Sequence, residues 1–530
     1  MLITWGPVSL KGGELSWSRA NTNPLCPNRG EIPAEEYDNL YNQFNPTLFN
    51  PDEWMKTAKA AGMKYIVLVA KHCDGFLLWD SPSCDHNITA TPFKRDIVAE
   101  VAAAARRNGL KVGMYFSPMD WRDPDFRTER NAAFVARMQE QLRELLTNYG
   151  KIDLMWFDFD VCDEIPYDQE NTYQLVKSLH PEIIINNRLD LGRESNRLIK
   201  SRHADYYTPE HAIGEYDDQT PWESVMPMSS SHMWSYGGPS DGVKSFQESM
   251  DMLVRSVGGD GNLLLNAGPM PTGELPPNQI ERLREIGAWM AKYGESIYGT
   301  RGGPFKPGDY GVSTRKGKTI YLLVQNWESD VLHLPVIAAK VVGSRVLTGG
   351  KVEVLQTADG IKVSVPKADR DPLYTIVALE LDSDALTIPS IMVPRPPSLS
   401  LNAKAKASIV YRDMADFGPD KAVDGRDDTR WDTDETTKSA WLELDLGKPV
   451  TFDRVFIMEE YSEKQGVLKF ALESWQDGKW KPFHEGTSIG VKFSTSFPPV
   501  TAQRVRLNVI EAIGGPTITE FLVFTSGSDG

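Results

Sequence analysis

Cysteine is scarce in this 530-residue chain, and Cys26, Cys73, Cys84 and Cys162 are scattered without a C-x-x-C spacing. That spacing argues against a disulfide framework and against a zinc site built on paired thiolates. Basic charge is also short. Fifty-seven Lys and Arg stand against 73 Asp and Glu, a net charge of −16. So acidic a surface argues against nucleic acid or an anionic membrane as partner. No apolar run reaches the roughly 18–20 residues of a membrane helix. The longest, such as 65–70 and 263–267, are strand-sized. No G-x-G-x-x-G follows an apolar strand, which weakens an open nucleotide-binding sheet. Repeats and low-complexity tracts are missing, and so is a signal peptide. Yet residues 2–7 (LITWGP) already read as the end of a buried strand. The expectation is a natural chain longer at its N-terminus. An export signal lost with that segment would make the protein secreted or periplasmic rather than cytoplasmic.

What is present is ordinary globular composition, with 41% hydrophobic and 25% charged residues. A single core rarely grows beyond about 250–300 residues, so several domains are expected. Residues 51–300 alternate helical stretches (52–61, 97–108, 129–149, 170–179, 245–257, 278–293) with apolar strand-like runs (65–69, 111–116, 152–157, 183–186, 262–266). Fully apolar strands between helices indicate a helix-covered parallel sheet. The number of units favours an α/β fold of the (β/α) barrel, TIM type, over 1–300. Helical periodicity stops after about 298. Residues 301–383 read as a small antiparallel β-sandwich, and 384–399, with four prolines, as a linker. Residues 400–530 are again strand-like, with WLELDL at 441–446 alternating cleanly.

In a barrel the chemistry sits at the C-terminal ends of the strands. Those positions hold Lys71-His72-Cys73-Asp74, Ser117-Pro118-Met119-Asp120, Asp158-Phe159-Asp160, Asn187-Arg188 and Pro209-Glu210. Carboxylates recur at one rim, with Trp, His and Arg among them. Glycoside hydrolysis needs two carboxyl groups whose environments split their pKa values. Fourteen Trp and eighteen Tyr suit sugar stacking, although aromatics are core material first. Asp74 reads as a turn buttress rather than a catalyst. Asp158 follows the apolar run Trp156-Phe157 and reads as functional, with Asp160 as its competitor. His72 alone fits a satisfied core histidine equally well.

Longer motifs point further. Residues 71–81 (KHCDGFLLWDS) resemble the KHHDGF-x-LWDS element of the alpha-L-fucosidases, glycoside hydrolase family 29. Residues 153–158 (DLMWFD), Asn187-Arg188, 205–210 (DYYTPE), 221–223 (PWE), 261–274 (GNLLLNAGPMPTGE) and 295–299 (ESIYG) are similar to further elements of that family, in order. The resemblance covers 1 to about 383. It implies a retaining exo-glycosidase that needs no cofactor for catalysis and acts on fucosylated or related L-sugar glycans. Asp158 would be the nucleophile and Glu210 the acid/base, with Glu223 as a fallback. Trp17, His72, Tyr115, Trp156, Arg188 and Trp234 would line the sugar site. Residues 420–431 (DKAVDGRDDTRW), 441–446 and 504–507 resemble a discoidin-type (coagulation factor 5/8 C-terminal) domain. Such modules bind carbohydrate or calcium. Asp424, Asp427, Thr429 and Glu520 supply the oxygen ligands a structural calcium wants, and a plain Asx-rich turn is the competing reading.

Three positions depart from the family pattern. Thr4 stands for the usual His before Trp-Gly, Ser16 for the Glu before Trp, and Cys73 for the second His of HHDGF. Shorter side chains imply a roomier pocket with fewer bonds to the axial O4. That leaves an L-galactosidase or L-glucosidase of the same family as an alternative. A catalytically weak carbohydrate-binding protein is a further one, although a pure binder needs neither Asp158 nor Glu210.

Overall fold

The structure, a computed structural model, describes all residues except 22–27, 159–167, 190–200, 328–329, 395–397, 427–428, 460–465, 491–492 and 526–530. The expected apolar runs become barrel strands β1 (Leu2–Ile3), β2 (Tyr65–Lys71), β3 (Lys111–Phe116), β4 (Leu154–Phe157), β5 (Ile184–Ile185), β6 (Glu223–Pro227) and β7 (Asn262–Ala267). All pairs are parallel, in the order β5-β4-β3-β2-β1-β7-β6. The two outer strands are joined by the segment 205–211. Asn186 bridges Tyr206 on one side, and Tyr207 and Glu210 bridge Trp222 and Val225 on the other, all in parallel. Asp205 N–H donates to Ile185 O at 2.8 Å and Val225 N–H to Pro209 O at 2.9 Å. An eighth, irregular strand thus closes the ring.

Among the described residues, six helices of ten residues or more cover it: α1 (Pro51–Ala60), α2 (Ile97–Arg107), α3 (Asn131–Asn148), α4 (Gln169–Leu179), α5 (Phe246–Gly258) and α6 (Pro277–Tyr293). Each starts and packs for local reasons. Asp96 caps α2 by accepting from Ala99 N–H, and α2 buries Ile97, Val98, Val101, Ala102 and Ala105. Ser245 and Glu248 form a reciprocal capping box on α5. Ile66, Val67, Leu68 and Ala70 of β2 are fully buried. Each large aliphatic side chain so buried contributes about 1.5–3 kcal/mol. Behind β1, Trp5 packs edge-on to Phe44 and Trp54 and stacks on Phe49.

The following sandwich has a five-stranded sheet (Arg301–Gly302, Gly311–Lys316, Thr319–Val324, Thr375–Leu381, Val341–Val346) facing a three-stranded one (Val331–Leu334, Gly360–Ser364, Glu353–Thr357). It docks on α5. Tyr374 donates to Asp251 at 2.6 Å, and a Cβ on Gly258 would come within 2.3 Å of Val312. Glycine is what permits that approach.

The chain divides into two compact units, 1–393 and 394–530. The stretch read as a linker over 384–399 is therefore structured over most of its length. Arg315 donates to Ala385 O at 3.2 Å, Ile391 bridges Phe305, and Leu399 N–H pairs with Val523 O in the second unit. Arg315 and Phe305 hold the first part because they offer it backbone partners. The second unit is the discoidin-like sandwich. Its strands are Lys404–Ala407, Ala440–Glu459, Val467–Gln476, Lys479–Gly486, Phe493–Ala512 and Ile518–Phe524. Register shifts between Asp445 and Val450 and between Phe452 and Arg454 interrupt the long antiparallel pairing. The core holds Trp431, Leu442, Phe470, Leu507 and Phe521.

Candidate active site

Every barrel strand ends at the same mouth, and the strand ends supply one pocket. Thr4 follows β1, His72 follows β2, Tyr115 lies on β3, Trp156 on β4 with Asp158 just beyond, and Glu210 lies on the closing segment. Together with Glu14, Trp17 and Trp234 they line a single cavity. A larger cleft of about 690 Å³ opens at the opposite mouth, beside Lys64, Asp217 and Arg301, and holds none of these groups.

The electrostatic centre is Arg188, in a turn after β5. It is fully buried, so it braces the site from behind instead of lining it as expected. Its Nη1 donates to Asp158 Oδ1 at 2.9 Å and to Glu210 Oε2 at 2.6 Å. Nε and Nη2 donate to Thr208 Oγ1 and O at 2.8 and 2.9 Å. The guanidinium lies 4.5 Å over the Trp156 ring. Because both carboxylate oxygens bond one nitrogen, they are no farther apart than the two bonds end to end, about 5.5 Å. Asn186 steadies the nearby strand end: its side chain accepts from Phe157 N–H and donates to Phe157 O, both at 2.9 Å.

Three rings form one wall. His72 stacks on Tyr115 at 5.5 Å and Tyr115 on Trp156 at 5.1 Å. The Tyr115 hydroxyl donates to Asp158 Oδ2. Trp156 Nε1–H is buried without an acceptor among the described residues. Trp17 packs edge-on to Trp121, and Trp234 lies 4.7 Å from His211.

Glu14 was not anticipated. Its Oε2 accepts from Trp234 N–H at 2.6 Å, and its Oε1 from Leu15 N–H, Ser235 N–H and Ser235 Oγ at 2.9, 3.1 and 3.0 Å. Burial pushes its carboxyl up, and the four donors pull it back. The carboxylate missing beside Trp17 is thus replaced from two residues upstream of Ser16. A lone acid in a loop carries no periodicity, so only its nearness to the Ser-Trp pair could have flagged it. Thr4 Oγ1 donates to Asn266 Oδ1 at 2.7 Å, and Asn266 Nδ2 donates to Trp234 O at 2.6 Å. The Trp234 backbone is held on both sides.

Other expectations change. Cys73 does not line the pocket. It is buried in the core and meets Ser117 Oγ at 3.3 Å. Ser16 is fully buried and also off the pocket wall. Of the three departures only Thr4 faces the cavity. Glu223, the fallback acid/base, begins β6 and so lies at the opposite end of the barrel. It accepts from Tyr65 Oη, and burial pushes its carboxyl up to about 7. Asp74 buttresses its turn, accepting from Tyr37 Oη at 2.8 Å and Phe76 N–H at 3.2 Å, and burial raises it to about 6. Asp160 lies outside the described residues, as does Asp427 of the calcium set. Thr429 Oγ1 donates to both Asp424 oxygens at 2.9 and 2.8 Å, and Glu520 is fully buried on the last strand.

Comparison with known proteins shows the family. The alpha-L-fucosidase family profile matches residues 1–295, and the F5/8 type C domain profile matches 403–522. Plasma alpha-L-fucosidase of Homo sapiens is 30% identical over 320 residues, 56% of this chain and 66% of its own length. The chain therefore spans about two thirds of such relatives. The structure of alpha-L-fucosidase isoenzyme 1 from Paenibacillus thiaminolyticus superposes with a TM-score of 0.64 at 31% identity, covering 72% of this chain and 96% of that one. A Bacteroides thetaiotaomicron alpha-L-fucosidase trapped as a covalent intermediate with 2-fluoro-fucosyl fluoride gives 0.63 at 29% identity, covering 72% and 93%.

Proposed function

This chain belongs to the alpha-L-fucosidase family of glycoside hydrolases, and from that premise we propose that it is a retaining exo-glycosidase releasing terminal alpha-L-fucose by double displacement. One observation carries the reading: Asp158 and Glu210 are bridged by a single guanidinium nitrogen of Arg188. Retaining enzymes hold their carboxyl groups about 5–5.5 Å apart, inverting ones roughly 6.5–9.5 Å. A bound of about 5.5 Å between the bridged oxygens fits the first class.

In the first step Asp158 attacks the anomeric carbon while Glu210 gives its proton to the leaving oxygen. The glycosidic bond breaks as the ester forms. Water then attacks the ester, Glu210 takes its proton, and Asp158 leaves as carboxylate. The negative charge moves from Asp158 to Glu210 and back around a fixed cation, so Arg188 need not reorganise. His72, Trp17 and Trp234 would contact the sugar, and Trp156 Nε1–H is a donor that a sugar oxygen satisfies. Proton NMR of the first-formed anomer, with p-nitrophenyl alpha-L-fucoside as substrate, tests the mechanism. An inverted first anomer overturns it.

A second substrate reading has its own observation. Thr4 lines the pocket with its hydroxyl committed to Asn266. A side chain this short, in place of a ring, would favour a larger L-sugar such as L-galactose. A panel of p-nitrophenyl alpha-L-glycosides separates the two. For the C-terminal module we propose carbohydrate binding and a structural calcium on the set Asp424, Asp427, Thr429 and Glu520, of which Thr429 and Asp424 are in contact. Their hard oxygen donors suit that ion. Loss of thermal stability on chelation, restored by calcium, is the expected result.

A further inference from the structure

We propose that Ser16 is a positioning residue that locks His72 as the neutral Nε2–H tautomer, so that the ring presents a donor to the sugar. The inference rests on the reading of His72 as a sugar contact. It starts from the buried hydroxyl. Ser16 Oγ accepts from Asp74 N–H at 2.9 Å and lies 2.6 Å from His72 Nδ1. Ser16 is wholly excluded from solvent. Its hydroxyl proton has no other acceptor among the described residues, so it goes to Nδ1. An Nδ1–H tautomer, or an imidazolium, would donate to the same oxygen and strand the Ser16 proton in the core. With Nδ1 accepting, the ring proton sits on Nε2.

The scaffold around Ser16 is over-determined. Its backbone is left-handed at φ 61°, a conformation a non-glycine residue adopts only under constraint. Ser16 N–H donates to Tyr37 Oη at 2.7 Å, and Tyr37 Oη donates to Asp74 Oδ2 at 2.8 Å. Ser16, Tyr37 and Asp74 therefore form a closed loop of hydrogen bonds, and the ring it orients stacks on Tyr115, whose hydroxyl reaches Asp158. The position held by Glu in the family pattern has been given a different task, off the pocket wall.

The test is Ser16→Ala in the full chain, with ¹⁵N-histidine labelling and long-range ¹H–¹⁵N correlation, His72 being assigned against His72→Gln. The unmodified protein should show one Nε2–H species, and Ser16→Ala a mixture of tautomers. KM for the aryl alpha-L-fucoside should rise about tenfold with kcat within about twofold. The double variant Ser16→Ala/His72→Gln should be no worse than His72→Gln alone. Tyr37→Phe, which leaves the Ser16 hydroxyl in place, reports on packing of the loop and should keep the Nε2–H signature. An unchanged tautomer in Ser16→Ala, or additive effects in the double variant, overturns the proposal. A changed tautomer with KM unaltered in both single variants instead removes His72 from the sugar site, and the positioning role with it.

Discussion

Asp158 and Glu210 accept from the same nitrogen, Arg188 Nη1, at 2.9 and 2.6 Å. A cation shared in this way ties the two carboxyl groups together electrically. Each carboxylate keeps its own bond to the same nitrogen.

The nucleophile assignment has a direct consequence. Asp158→Gly should lower kcat on p-nitrophenyl alpha-L-fucoside by at least about a thousandfold. Added azide should restore part of the rate by entering where the carboxylate stood. Full activity in that variant would transfer the role to another carboxylate, with Asp160 the next to replace.

Glu223 lies at the far mouth of the barrel, so Glu223→Gln should leave kcat intact. Its effect is on stability. Burial raises the folded-state pKa from 4.5 to about 7. The folded protein therefore binds the proton more tightly than the unfolded chain does. Stability from this group is full below about pH 4.5 and is lost as pH rises toward 7. Glutamine still accepts from Tyr65. At pH 8 the variant should be about 1–3 kcal/mol more stable, with a flatter dependence between the two pKa values. Urea melts across pH measure it; a variant less stable at pH 8 contradicts the argument.

Specificity should follow Thr4 and not Cys73. Thr4→His puts an imidazole on the pocket wall, and the ratio of kcat/KM for L-fucoside over L-galactoside should rise about tenfold. Cys73→His instead overpacks a core position and should cost about 1–3 kcal/mol without changing that ratio. The reverse outcome would return Cys73 to the sugar site.

Truncation should be sensitive to eleven residues. A chain ending at Val393 keeps the whole of the first unit and should retain activity on the small aryl substrate. One ending at Asp382 loses the carbonyl that Arg315 binds and the Phe305–Ile391 bridge, and should melt lower. Equal melting of the two would show that 383–393 adds nothing.

How far the sequence alone leads depends on the kind of order involved. β2, β3 and β7 were readable because both faces are buried, which writes an unbroken apolar run. The closing segment 205–211 carries Asp, two Tyr and Pro in place of such a run, so only its motif marked it. β6 begins with Glu and ends with Pro, and it writes no apolar run for the same reason. The rim residues followed from barrel polarity. That rule, applied to β6, would also have excluded Glu223, which starts its strand. What no pattern conveys is depth. Arg188 and Trp156 look equally suited to face a sugar, yet one stands behind the other, and Cys73 turns inward beside His72, which turns out.

The seam between β1 and β7 has a temporal meaning. Leu2–Ile3 pairs with Tyr65–Lys71 on one side and Asn262–Ala267 on the other. The ring cannot close until some 260 residues of intervening chain have been organised, a long-range pairing that is slow by its topology. The Thr4–Asn266 bond and the Trp234 wall it steadies sit on that seam. The shape of the pocket therefore depends on this long-range pairing and not on local structure alone. An inhibitor that binds this pocket tightly should therefore clamp the first and seventh strands together, slowing exchange of the Ile3 amide and raising the melting temperature.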